Sequence, residues 1–294
     1  MSLLYRKGDK GQDVKRIQRA IGNITTDGDF GPKTEKAVQD YQQWHSLGVD
    51  GIVGPITRKE LGIDIYAGVD VSGWNGNVPW GKVDQTKVQF VWAKVSQGRD
   101  WHDSSRLHNF EGCREEGIKI GAYHFPSPHI GLDSKDPKLE VENFIRGTPG
   151  GFQKGDMLPV LDLEAGKKKD PEHNRQWALE WLQELENETG LKAVIYTARW
   201  FIRGYMRRNV AGLTDYPLWV ADYTKPSNKG GRNEPDDLCG WDEWSAWQWT
   251  SKGKIKGLDQ TGIRKCDRNW LVGGPEAFKK MQICDKKNED VNET

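Results

Sequence analysis

A chain of 294 residues is long enough for one large domain, or for a large domain with a small companion. Its 43 Lys and Arg balance 43 Asp and Glu, so the formal net charge is zero and the strong phosphate attraction of a nucleic-acid binder is not expected. Hydrophobic residues make up 35%, and 14 tryptophans supply flat apolar surface that suits sugar rings as well as ordinary cores.

The N-terminus, Met1 to Gly8, has no apolar segment followed by a cleavage site, so no signal peptide is expected and synthesis is assigned to a reducing cytosol. No run of 18 apolar residues exists, so no membrane insertion is expected. Cys113, Cys239, Cys266 and Cys284 are scattered without a C-x-x-C, which argues against a disulfide framework and a zinc ribbon.

Residues 1–62 carry an internal repeat. Asp27-Gly28-Asp29-Phe30-Gly31-Pro32-Lys33-Thr34 recurs as Asp50-Gly51-Ile52-Val53-Gly54-Pro55-Ile56-Thr57. Each copy has an Asp-Gly turn and then a Gly-Pro that opens a helix with proline at its first position. Val14, Ile17, Ala20 and Ile21 follow helical spacing before the first turn, and Ala37, Val38 and Tyr41 follow it afterwards. A small domain of about three helices is expected. Turn chemistry alone accounts for the Asp, Gly and Pro. With Gly8-Asp9-Lys10-Gly11-Gln12-Asp13-Val14 and Val38-Gln39-Asp40-Tyr41-Gln42, the two turns resemble the type 1 peptidoglycan-binding domain family. The resemblance implies binding to the cell-wall polymer without catalysis.

Residues 63–67 read as a short connector, 68–284 as the second domain, and 285–294 as a polar tail. Strands are expected at 68–72, 90–96, 119–125, 158–164, 193–197, 218–223 and 245–250, with a weaker one near 263–266. Amphipathic helices are expected at 105–117, 138–146, 173–189 and 200–208. The stretch from Lys225 to Pro235 cannot be helical. Strand–helix units followed by strands without helices predict an α/β barrel, parallel at first and irregular at its end.

One strand contains a contradiction. Leu158 to Gly166 reads as buried, yet Asp162 and Glu164 fall on one face, about 7 Å apart at the backbone. Burying unpaired charge is costly, so two acids here suggest a pocket that uses them. Barrels keep their chemistry at the C-terminal strand ends, where the sequence places Asp70, Ser72, Gln97, Tyr123, His124, Asp162, Glu164, Tyr196, Thr197, Asp222, Tyr223, Gln248, Trp249, Asp267 and Asn269. There is no HExxH, no G-x-S-x-G and no phosphate loop, so neither a metal site nor a cofactor is expected. Carboxylates with aromatics on an uncharged substrate point to glycoside cleavage.

Residues 68–273 resemble the family 25 glycoside hydrolases, the Chalaropsis-type lysozymes. The likeness is carried in order by Gly68-Val69-Asp70-Val71-Ser72-Gly73-Trp74, Gly121-Ala122-Tyr123-His124-Phe125, Pro159-Val160-Leu161-Asp162-Leu163-Glu164, Ile195-Tyr196-Thr197, Leu218-Trp219-Val220-Ala221-Asp222-Tyr223 and Trp247-Gln248-Trp249-Thr250-Ser251. The family fold is an irregular TIM-like (β/α)5(β)3 barrel. Its implied activity is hydrolysis of the β-1,4 bond from N-acetylmuramic acid to N-acetylglucosamine in peptidoglycan.

By the same resemblance Glu164 is the general acid, Asp162 its partner at the 2-acetamido group or a nucleophile, and Asp70 a third site acid. Asp267 is the fourth, with Asp259 as the alternative. Tyr123, Tyr196, Trp219, Trp247 and Trp249 are candidates to stack on sugar, and Gln248 to bind substrate. Asp222 is either a site acid or the partner of Arg264 or Lys265. The two-module layout looks like that of a bacteriophage endolysin, a monomer held in the host cytoplasm until a holin gives it access to peptidoglycan. Rival readings are a wall-binding protein without activity and an N-acetylglucosaminidase or chitinase.

Overall fold

The computed structural model describes residues 4–127, 137–223, 235, 237–254 and 265–284. The N-terminal part is three helices, α1 (Gln12–Ile21), α2 (Pro32–Trp44) and α3 (Pro55–Glu60), with Pro32 and Pro55 at the starts of α2 and α3. The sequence repeat is also a repeat of hydrogen bonds. Buried Gln18 donates from Nε2 to Asp27 Oδ1 (2.8 Å), Asp29 O (3.0 Å) and Thr34 Oγ1 (3.0 Å), and accepts from Gly28 N. Gln42 does the same one turn-unit later, donating to Asp50 Oδ1 (2.8 Å), Ile52 O (3.0 Å) and Thr57 Oγ1 (3.2 Å) and accepting from Gly51 N. Both glycines have positive φ, 78° and 72°, which a side chain would resist. Each glutamine thus satisfies the polar groups that a tight turn leaves over.

The remainder is an eight-strand barrel with one appended short strand. Its strands are β1 (Ile65–Val71), β2 (Phe90–Gln97), β3 (Trp101–His102), β4 (Lys119–Phe125), β5 (Val160–Asp162), β6 (Val194–Ala198), β7 (Leu218–Ala221), β8 (Ala246–Gly253) and β9 (Cys266–Val272). The order is β1-β9-β8-β7-β6-β5-β4-β2-β3, closed by β1 pairing with β2. All barrel pairs are parallel except β8–β9 and β1–β9. Helices α4 (Arg106–Glu115), α5 (Pro137–Gly147), α6 (Pro171–Thr189) and α7 (Arg199–Gly204) fill the crossovers after β2, β4, β5 and β6, and α8 (Gly274–Lys280) follows β9. The β1–β2 crossover holds only short 3-10 turns among its helical elements. Five crossovers followed by three strands match the expected irregular barrel. No described helix is long and apolar enough to cross a membrane.

Strand alternation splits the apolar residues into two clusters. Phe90, Trp92, Met157, Val160, Val194, Trp219, Ala246 and Leu271 fill the barrel interior. Val91, Ala93, Leu161, Ile195, Val220 and Trp247 face the other way, into the helix layer. Within the interior, Trp92 and Trp219 stack at 4.3 Å. Their bulk excludes water, so the polar groups at the C-terminal strand ends sit on a dry floor.

Four boundaries differ from the sequence expectation. Ile65, Tyr66 and Ala67 belong to β1, pairing with Val272, Leu271 and Trp270, so the connector is shorter than 63–67. Helix α7 stops at Gly204 rather than 208, because Arg207 and Arg208 take positive φ. The last strand begins at Cys266, where the weak candidate ended; Ile263 lies outside the described residues, as does the tail 285–294. Strand β5 ends at Asp162: Glu164 N donates to Asp162 O (3.1 Å), a three-residue turn about Leu163.

The two parts are packed together. Gln12 Nε2 donates to Asp242 O (2.6 Å), and the Arg16 guanidinium donates to Trp244 O while lying 4.3 Å from the Trp244 ring centre. Arg16 is also paired with Asp13 (2.7 Å). At the start of α8, Gly274 has φ 73°, and a Cβ there would sit 1.8 Å from Gly62 O, so α8 rests directly on the backbone where the helical domain meets the connector.

Candidate active site

The parity of β1, β5, β8 and β9 sends Asp70, Asp162, Gln248, Asp267 and Asn269 inward at the same end of the barrel. Register brings their strands together: Asp70 pairs with Asp267 across β1–β9, Gln248 with Asn269 across β8–β9, and Asp162 with Tyr196 across β5–β6. Asp70 is buried and its Oδ2 accepts from Gln248 Nε2 (2.9 Å) and Asn269 Nδ2 (2.8 Å). Gln248 Oε1 in turn accepts from the hydroxyls of Tyr196 (2.9 Å) and Tyr223. Asn269 Oδ1 accepts from Trp219 Nε1 (3.0 Å). These amides have every acceptor used, so they hold Asp70 in one orientation.

Asp162 is different. It is buried, and its Oδ1 has no hydrogen-bond partner among the described residues. A buried carboxylate oxygen without a donor is costly and calls for one from outside the chain. Glu164, one turn further on, is half-buried.

The acids raise one another's pKa. Burial pushes Asp162 well above the usual carboxylate range, the neighbouring Glu164 adds to the rise, and Lys94 opposes it. Glu164 is raised first by burial and then by Asp267, again against Lys94. Burial raises Asp267 to about 6, offset in part by a hydrogen bond with Asp70. Asp70 is raised well above its ordinary value by burial and by Asp267, while Asn269 and Gln248 pull it down. Such a cluster holds its protons to higher pH than free carboxylates do, the direction a general acid requires.

Lys94 was not anticipated from the sequence. It lies on β2 opposite Tyr123, donates to Gln97 Oε1 (2.8 Å), and its ammonium lies 4.7 Å from the Phe125 ring centre and 5.2 Å from that of Trp101. Burial lowers its pKa, while Asp162, Asp103 and Glu164 raise it. A single charge inside the run Phe90-Val91-Trp92-Ala93-Lys94-Val95 carried the same signal as Asp162.

The other sequence candidates divide. Burial, with the acids they face adding to it, holds the phenols of Tyr123 and Tyr196 well above their ordinary pKa. Trp219 lies inside the barrel under the site, too buried to offer a sugar face. Trp247 is on the opposite side of its strand, edge-on to Trp244 and Trp270, with its Nε1 donating to Asp222 O (2.8 Å); it packs core rather than sugar. Trp249 stacks on Trp270 at 4.9 Å. Asp222 is paired with Arg199 of α7, not with Lys265. Arg264 and Asp259 lie outside the described residues. His124 is fully buried behind the strand, between Ser96 Oγ (2.8 Å) and Glu140 Oε2 (2.8 Å), so it does not reach the mouth.

Comparison with known proteins identifies the family and the fold. The YegX protein of Escherichia coli K12 is 29% identical over 200 residues, 65% of this chain and 65% of that protein. Lysozyme M1 of Streptomyces globisporus is 26% identical over 199 residues, 65% of this chain and 64% of its own length. The chain therefore spans about two thirds of the length of the curated relatives it matches. The crystal structure of a Streptomyces coelicolor lysozyme shares the fold, with TM-score 0.63 and 22% identity over 74% of this chain and 96% of that one. A peptidoglycan binding domain model matches residues 10–61, over α1 to α3. The model of glycosyl hydrolases family 25 matches residues 69–258, from the strand that carries Asp70 through the one that carries Gln248, and the chain belongs to that family.

Proposed function

We propose that this chain is a muramidase that hydrolyses the β-1,4 bond between N-acetylmuramic acid and N-acetylglucosamine in peptidoglycan, with Glu164 as general acid and base. The observation that carries the reading is the unpartnered, buried Asp162 Oδ1 beside a protonatable Glu164. An acetamido N–H of the substrate is the donor that this oxygen lacks. Accepting it favours the Asp162 anion and leaves the retained proton on Glu164. Glu164 then protonates the leaving glycosidic oxygen while the acetamido carbonyl attacks the anomeric carbon, and Asp162 stabilises the positive charge that develops on the acetamido nitrogen. In the second half Glu164 takes a proton from water, which opens the ring intermediate with net retention. Asp70, held by Gln248 and Asn269 and paired in register with Asp267, keeps the neighbouring end of the barrel polar and fixed in shape around the reacting acids.

The helical domain supports tethering to the wall, which raises local substrate concentration without new catalytic contacts. The two-module layout supports an endolysin of bacteriophage origin, made in a host cytoplasm, released through a holin and acting as a monomer.

Muropeptide release by Glu164→Gln tests the assignment. Loss of hydrolysis with wall binding retained is expected; undiminished hydrolysis refutes it. Mass spectrometry of reduced products is expected to find muramic acid at the new reducing ends, and glucosamine there would establish the rival bond instead.

A further inference from the structure

Apart from Tyr223, the exposed aromatic residues are not those that the strand pattern put forward at the strand ends. Of the four strongly exposed tryptophans among the described residues, Trp44, Trp74, Trp101 and Trp200, three stand at the C-terminal mouth of the barrel. Trp74 follows β1 and is 96% exposed, Trp101 opens β3 just beyond β2 and is 47% exposed, and Trp200 follows β6 and is 54% exposed. Tyr223, two residues past β7, is 52% exposed while its hydroxyl donates to Gln248.

Their positions are ordered around the rim. Counting round the closed barrel, β1 lies four strands from β6, and β2 four strands from β7. Trp74 and Trp101 therefore face Trp200 and Tyr223 across the mouth, with the acids of β1, β5 and β9 between them. Two are tied to the site: Trp101 lies against the Lys94 ammonium and Tyr223 donates to Gln248, while Trp200, in the first turn of α7, stands edge-on to Phe201 and Tyr205.

Trp74 is exposed on a rigid support. Ser72 Oγ accepts from Trp74 N (3.3 Å), Asn75 Oδ1 accepts from Ser72 N (2.9 Å), and Gly73 N donates to Asp103 Oδ2 (2.9 Å). Asp103 also accepts from Ser105 N (2.8 Å), so the turn after β1 is stapled to the segment after β3. A large ring held in water on a fixed turn beside a polar site is arranged for a flat apolar partner. The axial C–H face of a pyranose is such a partner.

Resting on the muramidase reading, we propose that Trp74 with Trp101, and Trp200 with Tyr223, are two aromatic platforms that hold one glycan strand across the barrel mouth, over the acids. Sugars on either side of the scissile bond stack on the two platforms, so strand length governs affinity.

Titration calorimetry in the full-length Glu164→Gln background, with a peptidoglycan octasaccharide and a single disaccharide as probes, tests the proposal. Both rings lie at the surface, so Trp74→Ala and Trp200→Ala leave the fold intact. Each is expected to weaken octasaccharide binding about five-fold to ten-fold, the value of one lost aromatic contact. The disaccharide is expected to change less than the octasaccharide. Octasaccharide binding that is unchanged in either variant overturns the arrangement across the mouth. So does a shift in self-association with glycan binding unchanged, which would put a second copy on this face. Should Glu164→Gln still cleave, the catalytic assignment fails on its own, and the platforms are then read from KM in Trp74→Ala and Trp200→Ala of the otherwise unaltered chain.

Discussion

Replacing Asp267 by Asn offers a quantitative check on the electrostatics of the acid cluster. Burial raises this carboxyl from its ordinary 3.8 to about 6. The native state therefore holds the proton more tightly than the unfolded chain. Stability from this group is fully present below pH 3.8, falls as pH rises towards 6, and is absent above it. At about 1.4 kcal/mol for each pH unit, the loss corresponds to about 3 kcal/mol at neutral pH. Asparagine keeps the shape and does not titrate. It also removes a like charge from Asp70, whose pKa Asp267 raises, so the coupled effect has the same sign. Denaturation of parent and variant from pH 3.5 to 8 is expected to show equal stability at the acid end. At pH 8 the variant should gain about 3 kcal/mol, or about 6–12 °C in Tm for a barrel of this size, with hydrolysis reduced. Parallel stability curves would refute the reasoning, because they would mean that Asp267 ionises in the folded chain as it does in water.

Lys94→Met removes the cation that opposes the rise of Asp162 and Glu164, so both limbs of the pH–rate profile are expected at higher pH; an unmoved profile contradicts this role. Gln18→Ala strands Gly28 N and the acceptors of the first turn, and about 2–4 kcal/mol of helical-domain stability should be lost in urea unfolding. Gln42→Ala should cost a similar amount, since its contacts are the same in kind. Gly274→Ala drives a Cβ into the backbone where the helical domain meets the connector, and faster proteolysis between residues 60 and 66 is the expected sign.

Much of this was legible because it is local or periodic. The double turn announced α2 and α3, and the barrel strands showed as apolar runs at near-regular intervals. Asp162 showed itself by being charged where a strand should be apolar. The tryptophans were harder. Trp219 and Trp247 occupy neighbouring strands that are apolar on both faces, so alternation says they differ in side only once register is known. Asp222 finds Arg199 by β6–β7 pairing, 23 residues apart, which no local pattern encodes. The exposed Trp101 and Trp200 escaped notice for the opposite reason: one lies in the two-residue β3 and the other in the first turn of α7, elements too short for periodicity to show which ring faces water. Strand alternation put Glu164 on the same face as Asp162, whereas in the fold a tight turn at Leu163, not the pleat, sets its position.

The packed connector and the Arg16–Trp244 contact have a geometric consequence. A module on a loose tether samples a sphere, and any wall contact within reach raises the local concentration of substrate. Here Gly274 on Gly62 and α1 on the 242–244 segment fix the helical domain to the barrel, so the two modules define a single vector. Under the proposed function, avidity then depends on whether the spacing and direction of neighbouring glycan strands match that vector, and falls away where they do not. The protein would measure the architecture of a wall as well as its chemistry.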